Sequence, residues 1–132
     1  MNVRNLQPGE EWPTGCEMGY TCGMVYRDWC WIAESEGQTV AALLTIPAHG
    51  VLLLLRIAAN EDAPPSAIRA LLNTAFEQAS QRGLIGYLTW TEPCKLEGQQ
   101  LLGIVRRAGG TQDITPVLFA YGTIADALGE VN

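Results

Sequence analysis

The sequence predicts an α+β fold in which a mixed, largely antiparallel sheet carries packed helices. Two observations lead there. Residues 29–58 hold three apolar, strand-like runs separated by the turn signals Ser35-Glu36-Gly37 and Pro47-Ala48-His49-Gly50, the pattern of an antiparallel meander. Residues 65–82 then switch to helical periodicity, and a strand, a helix and a strand follow. With 132 residues, 48% of them apolar and 17% charged, the chain suits one globular domain spanning 1–132 with a core of its own.

Taken in order, a first strand is expected at 2–6. Residues 7–23 hold two prolines and four glycines and read as an irregular loop. The meander strands fall at about 29–34, 39–46 and 51–58. Val51 to Leu55 are apolar at every position, as in a central strand buried on both faces. In the helix, Ile68, Leu71, Leu72, Ala75, Phe76 and Ala79 share one face, while Arg69, Asn73, Glu77, Gln78 and Gln81 take the other. Pro65 suits the first helical position, Gly83 the C-terminal cap, and Asp62 a local cap or dipole partner.

"LIGYLTWT" at 84–91 reads as the next strand. A helix at 95–108 carries Leu101, Leu102, Ile104, Val105 and Ala108, with Gly98 and Gly103 weakening it. A last strand at about 114–121 includes Pro116, which suits an edge. "TIADAL" at 123–128 adds a helical turn.

Charge and composition exclude several function classes. A net charge of −6 and a pI near 4.6 disfavour nucleic acid and anionic membrane surfaces as partners, although adjacent Arg106 and Arg107 leave room for a local basic spot. The N-terminus has no basic-then-apolar signal pattern, and the run "VLLLL" is too short to span a bilayer, so a soluble, cytoplasmic protein is expected. Cys16, Cys22, Cys30 and Cys94 are separated by five, seven and sixty-three residues, which matches no zinc pattern; reduced, half-buried thiols are expected. With His49 the only histidine, no multi-imidazole metal site can form, and no metal is expected.

The order of elements, with three meandering strands running into a strand–turn–helix, resembles the GNAT fold of N-acetyltransferases. "IRALLNTAFEQASQRG" at 68–83 is similar to the helix after that family's acetyl-CoA pyrophosphate loop, and "LLGIVRRAGG" at 101–110 to the close of its later helix. The resemblance covers residues 1 to about 121. It implies a cofactor loop with a basic or glutamine position and two glycine-type positions, whose backbone N–H groups cradle a pyrophosphate.

Aligning the helices places Ala63 at the basic position, Pro64 at the first glycine and Ser66 at the second, with Ala67 completing the cofactor-binding candidates. Glycines let backbone approach an anion, and N–H groups at a helix N-terminus supply donors. Pro64 and Pro65 have no N–H. Glu61 and Asp62 bring negative charge, each interaction with a unit charge at about 4 Å being roughly 1 to 4 kcal/mol in wet surroundings. The tyrosine that the resemblance implies as proton donor falls near Val105, and the implied asparagine near Gly98.

Remaining candidates for chemistry are Glu34, His49, Tyr87 and Glu92, of which Glu92, at the end of its strand, is the weak candidate for a general base. A serine or cysteine triad has no support. Trp29 and Trp31, on one face of a strand near Tyr26, Trp12 and Trp90, are interface candidates if exposed and core residues otherwise. Together these residues point first to a GNAT-like domain with a degenerate acetyl-CoA loop. Such a domain holds no cofactor and is a non-catalytic binding or structural component whose partner is another protein or its own copies. The alternative is an active N-acetyltransferase that moves an acetyl group from acetyl-CoA to an amine. A third reading is an unrelated α+β fold.

Overall fold

The computed structural model describes residues 1–10, 27–90, 96–113 and 119–132. Along the chain these form β1 (Asn2–Asn5), a 3-10 turn (Arg27–Trp29), β2 (Cys30–Ser35), β3 (Gln38–Ala48), β4 (Val51–Ala59), α1 (Pro65–Gln81), β5 (Gly86–Trp90), α2 (Leu96–Arg107), β6 (Thr111–Asp113), β7 (Phe119–Thr123) and α3 (Ile124–Val131). Among the described residues the sheet has seven strands, ordered β1-β2-β3-β4-β5-β7-β6. Every neighbouring pair is antiparallel except β4 with β5, which is parallel and joined by the crossover helix α1.

The meander forms because both of its turns have the chemistry of tight hairpins. Glu36 and Gly37 sit at φ 53° and 78°, and His49 and Gly50 at 53° and 81°. Positive φ at both central positions matches the right-handed twist of the flanking strands, and glycine takes the second position without strain. The register then brings Ala41 opposite Ala59 and Ala48 opposite Val51.

Helix α1 buries Ile68, Leu71, Leu72, Ala75, Phe76 and Ala79, the stripe that its periodicity predicts. These side chains join Trp31, Leu43, Leu52 and Leu54 of the sheet in the main core, to which α2 and α3 add Leu101, Val105, Ile124 and Val131. All three helices therefore serve one face of the sheet. On the opposite face Leu6, Cys30, Ile32 and Leu44 form a smaller cluster.

The C-terminus of α1 closes in a paired hydrogen-bond pattern around a left-handed glycine. Gly83, at φ 82°, donates to Ser80 O at 3.1 Å, and Leu84 donates to Ala79 O at 2.9 Å. Helix α2 ends the same way, with Gly109 N bonded to Arg106 O and Gly110 N to Val105 O.

Several expectations need correction. The strand expected at 114–121 is described from Phe119 onward, where β7 runs to Thr123, and its earlier part lies outside the described residues. A further strand that was not expected, β6, pairs antiparallel with β7, with Thr111 opposite Tyr121 and Asp113 opposite Phe119. Thr111-Gln112-Asp113 is too short and too polar a run to stand out as a strand. The edge belongs to β6, and Pro116 lies outside the described residues. Asp62 does not cap α1, because the N-cap falls on Pro64, which makes no side-chain cap bond. The β4 strand is fully closed on one face only: Leu52 and Leu54 are buried, while Val51, Leu53 and Leu55 keep partial exposure. The terminal turn is longer than expected, since Thr123 Oγ1 accepts the Asp126 N–H at 3.2 Å and Ile124, Ala127 and Val131 are buried.

Two outcomes check the packing. Leu72→Ala is expected to cost roughly 2–5 kcal/mol in chemical denaturation, as core truncations do. Gly122 lies against Tyr87, and an added Cβ there would sit 2.8 Å from the phenol oxygen. Gly122→Ala is expected to cost about 1–3 kcal/mol, with part of the loss recovered in a Tyr87→Phe background. Equal losses in both backgrounds would show that the hydroxyl is not the obstacle.

Candidate functional site

The parallel pair β4–β5 leads to the candidate site. β5 follows β4 from Gly86 opposite Val51 to Thr89 opposite Leu54. Among the described residues β4 then runs on to Ala59 paired with β3, and residues 91–95 after β5 lie outside the described residues. Two local features mark the end of the paired stretch. Leu44 pairs with Arg56 but Thr45 with Leu54, so Leu55 is an extra residue that bulges β4. The buried Thr89 hydroxyl donates to Leu54 O at 3.1 Å and fixes the last shared carbonyl.

β4 leads into the turn that carries the candidate cofactor residues. Asn60 anchors its start: its N–H bonds to Val40 O at 2.8 Å and its side-chain amide to Thr39 O at 3.0 Å. Ala63 then donates to Asn60 O at 3.0 Å, closing a turn with Glu61 and Asp62 at the exposed tip. Ala67 donates to Pro64 O at 2.9 Å. Of Ala63, Pro64, Ser66 and Ala67, two spend their N–H inside the protein and Pro64 has none, so Ser66 alone offers a donor to a ligand. A cleft of about 480 Å³ opens between this turn and the start of α2. Its wall carries Glu61 and Glu97, with Pro64, Ile68, Leu96 and Gln100 beside them. The site thus combines few donors with two carboxylates.

The other candidates disperse. Glu34 pairs with Arg4, which also grips Glu10 through two bonds of 2.7 and 2.8 Å. His49 is an exposed hairpin residue. Glu92 lies outside the described residues, as do Cys16, Cys22 and Cys94, while Cys30 is buried. Among the described residues no group of three His, Cys, Asp or Glu is placed to hold a metal ion, and no helix is long and apolar enough to cross a membrane. Trp29 and Trp31 do share a face, but it is the core face: they are 7% and 5% exposed and cannot make the contact surface considered for them. The face toward α1 is where the largest side chains find cover. Trp90, at the end of β5, is the exposed tryptophan among the described residues.

Tyr87 also belongs to the core. It packs on Phe76 with ring centroids 5.3 Å apart and lies near the beginning of the shared β4–β5 stretch. Burial, with a smaller contribution from Asp126, pushes its phenol up to about 12. Val105, the residue near the family's tyrosine position, is buried and brings no hydroxyl.

The sequence marks Arg106 and Arg107 as a local basic spot but shows neither the β4 bulge nor the approach of Arg69 to them. Neither has a local signature: the bulge is defined by the partner strand, and Arg69 meets Arg106 and Arg107 only once α1 and α2 pack.

The sheet is mixed, with one parallel pair joined by a strand–turn–helix crossover. Solved structures superpose on it. Ard1 from Thermoplasma volcanium superposes with a TM-score of 0.59 at 7% identity, over 73% of this chain and 70% of that one. The diaminobutyrate acetyltransferase EctA from Paenibacillus lautus, solved with its substrate and coenzyme A, gives 0.59 at 18% identity, over 74% and 72%. Ribosomal-protein-alanine N-acetyltransferase from Brucella melitensis gives 0.55 at 18%, over 71% and 67%. No family model and no curated protein matches the chain. This chain has the GNAT fold, which removes the reading as an unrelated α+β architecture.

The buried phenol makes an alkaline prediction. A tyrosine at about 12 when folded and about 10 when unfolded contributes full stability below pH 10, lost as pH rises through 12. Unfolding midpoints in urea are expected to fall between pH 10 and 12 more steeply in wild type than in Tyr87→Phe. Parallel slopes would show that the phenol titrates alike in both states.

Proposed function

We propose that this chain is a non-catalytic GNAT-fold domain, a protein-binding or structural component whose partner is another protein or further copies of itself. The observation that carries the reading is the turn at 60–66. It stands where a strand–turn–helix holds a pyrophosphate, yet Ser66 alone of the four candidate positions offers a donor, and Glu61 and Glu97 face the cleft. A pyrophosphate there would gain one backbone bond and meet two carboxylates, a balance that opposes binding. Val105 and Gly98 add no group to protonate a leaving thiolate or to hold a pantetheine amide.

A second reading, an active N-acetyltransferase that binds acetyl-CoA differently, draws on one observation. Among the described residues β4 from Leu55 to Ala59 pairs with β3 only, and an extended ligand would fit beside that stretch. EctA, which has a comparable fold, is solved with coenzyme A.

Calorimetric titration with acetyl-CoA separates the two. Wild type is expected to show no saturable binding at physiological cofactor concentrations. The combination Glu61→Gln, Asp62→Arg, Pro64→Gly and Ser66→Gly, with circular dichroism to confirm folding, is expected to bind measurably better. Micromolar binding by wild type would sink the proposal.

A further inference from the structure

The cleft beside the turn is one half of a longer groove. A second cavity of about 510 Å³ lies between α1 and α2 and shares Pro65, Ile68 and Gln100 with the first. Its walls carry Arg69, Arg106 and Arg107 and no carboxylate. Three of the chain's eight Lys and Arg residues thus meet on one cleft of a protein with net charge −6.

Glu130 of α3 sets two of them in place. Arg107 Nε donates to Glu130 Oε1 at 2.6 Å, and Arg69 Nη1 donates to the Glu130 main-chain oxygen at 2.6 Å. Each interaction spends one face of a guanidinium and orients the remainder, a fork suited to carboxylates. Arg106 has no ion-pair partner among the described residues.

The groove is therefore bipolar. Guanidinium groups stand at the Arg106 end and the carboxylates of Glu61 and Glu97 at the other, with buried Ile68 between them and Leu96, 66% exposed, on the wall. This arrangement discriminates among ligands. A compact polyanion would use one end and be repelled from the other. An extended segment with acidic residues first, an apolar residue next and a basic residue last would meet every part, and the Gln100 amide would serve its main chain.

We propose that the α1–α2 groove docks an extended peptide segment of a partner protein, acidic where it meets Arg69, Arg106 and Arg107 and basic where it meets Glu61 and Glu97. This deepens the reading of the chain as a binding domain and rests on it.

Fluorescence anisotropy tests the groove with two fluorescein-labelled octapeptides, one with glutamates at one end, leucines in the middle and lysines at the other, and one wholly acidic around the same leucines. The bipolar peptide is expected to saturate wild type and to bind more tightly than the acidic one. Arg106→Glu, an exposed change, is expected to weaken it about tenfold, the scale of a lost charge pair. Glu97→Gln is expected to weaken it less, with melting temperatures unchanged in both. No saturable binding, equal affinity in Arg106→Glu, or tighter binding of the acidic peptide or of inorganic pyrophosphate would overturn the proposal. Acetyl-CoA added in parallel keeps the two readings apart. Cofactor binding that leaves the peptide docked defeats the non-catalytic reading alone, whereas cofactor that expels the peptide defeats the groove as a docking site.

Discussion

The burial of one face of α1 against the sheet is the contact from which the other features of this molecule follow. Ile68, Leu71, Leu72, Ala75, Phe76 and Ala79 lie at 0–2% exposure, and each removes roughly 1 to 3 kcal/mol of apolar surface from water where the side chain is large. A helix pinned along its whole length fixes both of its ends. At the C-terminus it delivers Gly83 and Leu84 to the start of β5, which makes β5 parallel to β4. At the N-terminus it sets Pro65 beside the end of β4, leaving residues 60–64 to bridge the gap. Neither the parallel pair nor the turn has freedom to be elsewhere.

That constraint separates two things that are easily confused, the place of a site and its chemistry. The place follows from apolar packing and needs no polar residue at all. The chemistry depends on a few N–H groups and charges in the bridging turn, and packing leaves those positions open to any residue that can make the bend. Asn60 makes it with three hydrogen bonds, through its own amides and the carbonyl that accepts from Ala63. Those bonds stabilise the turn by using the polar groups that an anion would otherwise engage.

How much of this was legible in the sequence varied with the range of the interaction. The α1 stripe and the meander were readable because periodicity and Gly-containing turns are local. The β6 strand was not, since Thr111-Gln112-Asp113 is short and polar and is a strand only through its pairing with β7. Trp29 and Trp31 were legible as core residues or as an exposed contact pair, and the choice between the two depends on α1 arriving above them. The fate of the turn was half legible. Missing donors at Pro64 and Pro65 are written in the residue types, whereas the loss of the Ala63 and Ala67 N–H groups to Asn60 and Pro64 is visible only in the folded backbone. Arg106 and Arg107 were legible as a basic spot, whereas the approach of Arg69 was out of reach, since it needs the packing of α1, α2 and α3 together.

The prolines make the last distinction sharp. Pro65 at the first helical position restricts the unfolded chain and stabilises the fold by about 0.4 to 1 kcal/mol where its φ is compatible. Pro64 holds an extended φ of −67° and ψ of 147°, which the residue before a proline favours. Both therefore favour the observed strand–turn–helix joint, and both do so by giving up an N–H. A joint optimised for rigidity and a joint optimised for a pyrophosphate ask opposite things of the same positions. In this chain both positions are prolines, and the groove beside the joint carries its charges on side chains, Arg106 and Glu97 among them, rather than on the backbone.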